Sequence, residues 1–93
     1  MTYVICQVQA GLRESEVTVS VGDAEGNTAF LRVERDFLME KGGKHYLPVG
    51  VIHEKDGHTL IELPHEADSG VNRLWVSSPQ VLTQRNAKER SPA

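Results

Sequence analysis

The chain has 93 residues, of which 39% are hydrophobic and 25% charged, with a formal net charge of −3. That length suits one domain with a modest core, which self-association would help to stabilise. The composition is too apolar for a disordered chain and too polar for a membrane span.

The charge is unevenly spread. From Gln84 to Ala93, Arg85, Lys88 and Arg90 stand against Glu89, a net of +2, which leaves −5 on the preceding 83 residues. An acidic body argues against nucleic-acid binding as the main task, because phosphate contacts need clustered Lys and Arg. The opening MTYVICQVQA has no basic start, long apolar stretch or cleavage site, so a cytoplasmic location is expected.

In chain order, TYVICQVQA is rich in β-branched and aromatic residues and reads as a strand. Cys6 is the lone cysteine, which excludes an internal disulfide. Its neighbours Ile5 and Gln7 supply no cation, so it reads as a small buried hydrophobe rather than a reactive thiolate. Ala10-Gly11-Leu12 can turn. EVTVSVG then alternates strictly, with Val17, Val19 and Val21 on one side of a half-buried strand. DAEGN reverses the chain, with Gly26 or Asn27 able to take positive φ. Asp23, Glu25 and Asn27 are too few oxygen ligands for a calcium loop. TAFLRVERDFL fits a strand over residues 28–35, and Gly42-Gly43 then breaks the chain.

HYLPVGVIHE and HTLIELP flank Lys55-Asp56-Gly57, a strong hairpin signal. A three-residue loop sets Glu54 opposite His58, His53 opposite Thr59, Ile52 opposite Leu60 and Val51 opposite Ile61. Val49, Val51, His53, Thr59, Ile61 and Leu63 then form the core face. Gly50, Ile52, Glu54, His58, Leu60 and Glu62 form a mixed face. Pro48 has no backbone N–H to donate and suggests a strand start or an edge.

PHEADSG reads as a polar loop, and VNRLWVS as a strand with Leu74 and Val76 on one side and Trp75 on the other. Trp75, the lone tryptophan, is expected to anchor the sheet, with a partner-binding role as the alternative. Residues 80–93 read as a polar tail or short helix after a β-barrel domain spanning 1–79.

All four histidines fall between residues 45 and 66. On this register His53 and His58 lie on opposite faces and cannot share an ion. His45, His65, Glu66 and Asp68 are the only residues that could gather, at the open end of the hairpin. No His-Glu-x-x-His spacing supports a zinc site, so no metal and no cofactor are expected. No nucleophile elbow surrounds Ser69, and no phosphate-binding loop follows Gly42-Gly43.

VGDAEGNTAFLRVERDFL, HYLPVGVI and DGHTLIELP together resemble the PRC-barrel type of small β-barrel. The matching residues are Asp23 with Gly26, Tyr46 with Pro48, and Asp56 with Gly57, within roughly residues 15–65. TYVICQVQAGLRESE and HEADSGVNRLWVS fall outside the pattern. The resemblance implies a six-stranded, partly open barrel without catalytic residues. Members of that family serve as parts of assemblies, in photosynthetic reaction centres and ribosome maturation factors.

The sequence therefore predicts an all-β, partly open barrel of about six mostly antiparallel strands. Its expected role is non-enzymatic protein interaction, with self-association through exposed strand edges. The N-terminal strand and the strand near Pro48 are the expected edges. One alternative is a metal-binding protein or metal-dependent hydrolase using His45, His65, Glu66 and Asp68. The other is an RNA- or ribosome-associated factor, resting on the family resemblance and the basic tail.

Overall fold

The computed structural model describes residues 1–11 and 14–84. Among the described residues there are eight strands: β1 (Thr2–Ala10), β2 (Glu16–Gly22), β3 (Thr28–Glu34), β4 (Met39–Lys41), β5 (Lys44–Lys55), β6 (His58–Glu62), β7 (Arg73–Ser77) and β8 (Val81–Thr83). The path β3-β2-β1-β5-β6-β7 is antiparallel throughout, with β4 added to β5 and β8 to β1. This curled sheet forms a half-barrel, the all-β architecture that the alternating sequence predicts. Among the described residues no helix is long and apolar enough to cross a membrane.

The period of two decides what the half-barrel encloses. Val17, Val19 and Val21 on β2 face inward, as do Ala29, Leu31 and Val33 on β3. Val4, Cys6, Leu47, Ile61, Leu63, Leu74 and Val76 complete the same cluster. Leu31, Leu47 and Ile61 are fully buried, and each such side chain contributes about 1.5–3 kcal/mol through removal from water.

Two turns set the hairpins of β5. Gly42 and Gly43 both take positive φ, at 61° and 79°, and join β4 to β5 by a two-residue turn. The sequence reading sees only a break there. Asp56 and Gly57 repeat the geometry at 52° and 80°. Positive φ at both central residues is the type I′ requirement, and it matches the right-handed twist of the flanking strands. The loop therefore has two residues, not the expected three. Lys55 pairs with His58, Glu54 with Thr59 and His53 with Leu60. A bulge between Val51 and His53 absorbs the one-residue difference, so that Val51 still faces Ile61.

The expected sheet edges are corrected. β1 is interior and pairs with β2, β5 and β8. β5 is interior as well, with β1, β4 and β6 as neighbours. Pro48 lies inside β5 opposite Tyr3. Residues 47–49 have register partners in β1 alone, between the last pair with β4 at Tyr46 and the first with β6 at Gly50. That one-sided stretch tolerates a residue with no N–H.

The terminal strands of the path are β3 and β7, and loops bridge the gap between them. The Asp68 N–H donates to the Phe30 carbonyl at 2.7 Å, and the Ala24 N–H donates to the Trp75 carbonyl at 2.8 Å. Ala67, in the loop read as merely polar, is 5% exposed and joins the core cluster.

The C-terminal expectation also changes. Val81–Thr83 form β8 against Thr2–Val4 instead of a helix or tail, and the Gln84 N–H donates to the Met1 carbonyl. Val81 and Leu82 are half-buried there, which explains why an apolar pair stands in a polar stretch. The basic residues Arg85, Lys88 and Arg90, and Leu12 of the first expected turn, lie outside the described residues.

The turn analysis makes a prediction. Asp56→Val places a β-branched residue at positive φ and should lower the unfolding free energy by about 1–3 kcal/mol. Asp56→Asn should stay within about 0.5 kcal/mol of the parent, because Asn accepts the same conformation. Urea unfolding monitored by Trp75 fluorescence measures both.

Candidate functional site on the outer sheet face

The two-residue turn decides where His53 goes, because it sets His53 opposite Leu60 instead of Thr59 and so on the outer face. The bulge then restores the expected pairing of Val51 with Ile61. His53, expected on the core face, is exposed, and Val51 is 42% exposed although it pairs with a buried residue. The β6 half of the expected core face is buried, with Thr59, Ile61 and Leu63 all below 4% exposure. Thr59 keeps its hydroxyl paired, 2.9 Å from the Ser78 hydroxyl.

The outer face of β5, β6 and β7 consequently carries three cross-strand rows. His53, Leu60 and Trp75 form the middle row, in register across the three strands. Lys55, His58 and Ser77 form the row nearest the turn. Gly50, Glu62 and Arg73 form the row at the other end. The Arg73 guanidinium approaches the Glu62 carboxylate at 3.7 Å across an exposed surface, a pairing of little energetic weight.

The middle row is compact. His53 and Trp75 meet edge to face, with ring centroids 6.2 Å apart and planes at 83°. Their strands are separated by two sheet spacings, about 9.6 Å, so both rings lean over the intervening Leu60. Trp75 remains 39% exposed and Ile52, at the bulge, 41% exposed. Beside Trp75 a shallow groove of about 400 Å³ is lined by Ala24, Glu25, Lys55, Asp56 and His58. His53 and His58 therefore share a face, which corrects the expectation that alternation separates them. His58 Nδ1 lies 3.2 Å from the Asp56 carbonyl, to which it can donate.

The other proposed cluster disperses. His45 sits in β5, opposite Cys6 of β1 and Glu40 of β4. His65 lies in the β6–β7 loop, where Nε2 is 2.8 Å from the Arg32 carbonyl and Nδ1 3.0 Å from the Glu66 carbonyl. Carbonyl oxygens only accept, so the ring nitrogen that carries the proton is the donor, and with the proton on Nε2 the ring fastens the loop to the outer edge of β3. Asp68 contributes its backbone N–H to the same edge. Among the described residues no group of three or more His, Cys, Asp or Glu side chains could hold a metal ion. Asp23 is occupied in its own turn, where Oδ1 accepts from the Glu25 and Asn27 N–H groups at 2.9 and 2.8 Å.

Cys6 is 6% exposed, and burial raises its thiol pKa to about 11. The neutral thiol packs as a hydrophobe, as its apolar sequence setting suggests.

With this geometry in view, the chain was compared with known proteins: no protein-family model, curated protein or solved structure matches it.

The thiol gives a prediction with a definite sign. A reference pKa of 9.0 in the unfolded chain against about 11 in the fold means that the native state holds its proton longer. Stability from this group is fully present below about pH 9 and is lost as pH rises towards 11, because only the unfolded thiol ionises in that window. At pH 8 the native thiolate fraction should be about 100-fold below that of the unfolded chain. Iodoacetamide alkylation measured with and without denaturing urea checks this, and Cys6→Ala should flatten the stability profile above pH 9.

Proposed function

We propose that this chain is a non-enzymatic interaction domain that acts by protein–protein association, including association with itself. The observation that supports the reading is the outer face of β5–β6–β7. Among the described residues, Trp75 at 39% exposure stands on this face in one row with Leu60 and His53, and Ile52 at the bulge is 41% exposed. An exposed aromatic set among other apolar side chains on a sheet face is a candidate contact site. Trp75 is the natural anchor, since a large ring with few rotamers gives up little entropy on burial.

Other features support the same reading. The thiol is buried and protonated, and the histidines serve backbone contacts or the outer face instead of converging on one centre. The PRC-barrel-like motifs fall on the β2–β3 turn, the middle of β5 and the β5–β6 turn. All three are structural positions, in keeping with a family that works by assembly and not by catalysis.

Sedimentation equilibrium tests the proposal. The weight-average mass should rise between about 10 µM and about 1 mM, the range in which weak interfaces populate. A strictly monomeric mass across that range counts against self-association.

A further inference from the structure

We propose that the groove beside Trp75 is a saccharide-binding site. A neutral pyranose ring stacks on the indole, and the residues of two neighbouring turns hold its hydroxyls. This goes beyond the association reading and holds for the single chain.

The two turns meet beside Trp75. The β2–β3 turn supplies Ala24 and Glu25, and the β5–β6 turn supplies Asp56, with Lys55 and His58 at its base. Both are fastened to β7 and the segment that follows it. The Ala24 N–H donates to the Trp75 carbonyl at 2.8 Å, and the Ser78 N–H donates to the Gly57 carbonyl at 2.9 Å. Each turn is also braced within itself. Asp23 Oδ1 accepts from the Glu25 and Asn27 N–H groups, and Asp56 and Gly57 hold the type I′ geometry. The backbone walls of the groove therefore stand in place before a ligand arrives, and little order is lost on binding.

The side chains choose the ligand. The lining carries two carboxylates, Glu25 and Asp56, and one ammonium, Lys55. Among the described residues, none of the three is engaged in an ion pair. With both signs side by side, a charged ligand meets a like charge wherever it meets an opposite one. A hydroxyl is both donor and acceptor, so it uses carboxylate and ammonium alike. His58 extends the set. With the proton on Nδ1, which lies 3.2 Å from the Asp56 carbonyl, Nε2 is left as an acceptor.

Acceptors and a donor are thus arranged around one large aromatic surface. A pyranose is the matching amphiphile, with C–H bonds on its ring face and hydroxyls around its rim. Trp75, 39% exposed, supplies the apolar surface for that face. The groove, at about 400 Å³, falls within the ~300–1,000 Å³ range of small-molecule sites. It is shallow and open to water, which suits a ligand that keeps some of its hydroxyls hydrated. The same openness makes the affinity weak, with a Kd on the order of 1 mM.

Amide and indole NMR tests the site, with the protein dilute enough to sediment as a monomer. The probes are the methyl glycosides of glucose, galactose, mannose and N-acetylglucosamine, together with cellobiose, each taken to about twenty times the expected Kd of roughly 1 mM. At least one should saturably shift the Trp75 indole N–H and the Ala24, Glu25 and His58 amides. Trp75→Ala should weaken that binding at least about tenfold, and Glu25→Gln about fivefold by replacing a charged acceptor with a neutral one. Circular dichroism confirms folding. Glu25 is exposed in a turn, so its variant keeps the test decisive if Trp75→Ala fails to fold. No saturable shift with any of these sugars, or unchanged affinity in the folded variants, overturns the proposal. Saturable shifts from choline or adenosine with none from a sugar also overturn it, because they assign the groove to a cation or a flat heteroaromatic ring.

Discussion

The gap between β3 and β7 governs this fold, and loop groups span it. The Ala24 N–H reaches the Trp75 carbonyl, the Asp68 N–H reaches the Phe30 carbonyl, and the His65 ring reaches the Arg32 carbonyl. All three tie the β2–β3 hairpin to the β6–β7 hairpin. Each contributes only about 0.5–1.5 kcal/mol net. Their larger effect is to occupy strand-edge carbonyls that would otherwise invite pairing with another chain. Ala67 seats its methyl group in the core from the same loop, so the bridging segment is held by packing as well as by polar contacts.

The hairpin of β5 and β6 combines two register devices, a two-residue turn at its tip and a bulge at Ile52. Without the bulge, the two-residue turn at Asp56-Gly57 would carry its register unchanged to the base of β5. With it, Val51 opposite Ile61 and His53 opposite Leu60 coexist in one ladder. The outward row of His53, Leu60 and Trp75 follows from the turn, and it supplies both the apolar centre and the aromatic pair of the proposed contact surface.

Much of the fold is legible in the sequence because alternation is a local signal. Val17, Val19 and Val21 share a face by their spacing alone, and so do Leu74 and Val76. The Asp56-Gly57 turn and the positive φ of Gly26 follow from residue chemistry. What the sequence conceals is long-range. Strand order places β1 in the interior, and nothing within TYVICQVQA reports which strands flank it. VLT is too short to announce a strand until Thr2–Val4 lie beside it. Lys55-Asp56-Gly57 suits a loop of three residues as well as one of two, and in a structure of period two that single residue reverses faces. The pairing of His53 with Trp75 is therefore not legible from the sequence.

Amide hydrogen exchange at Ala24 and Asp68 tests the bridged gap most directly. Both residues lie outside strands, in segments whose sequence reads as open loop. If their N–H groups hold the β3 and β7 edges together, they should exchange within about tenfold of Val19 in the middle of β2, because opening them requires separating the two hairpins. Exchange at the rate of an unstructured peptide, with Val19 still protected, would contradict the account and leave an open sheet with two free edges.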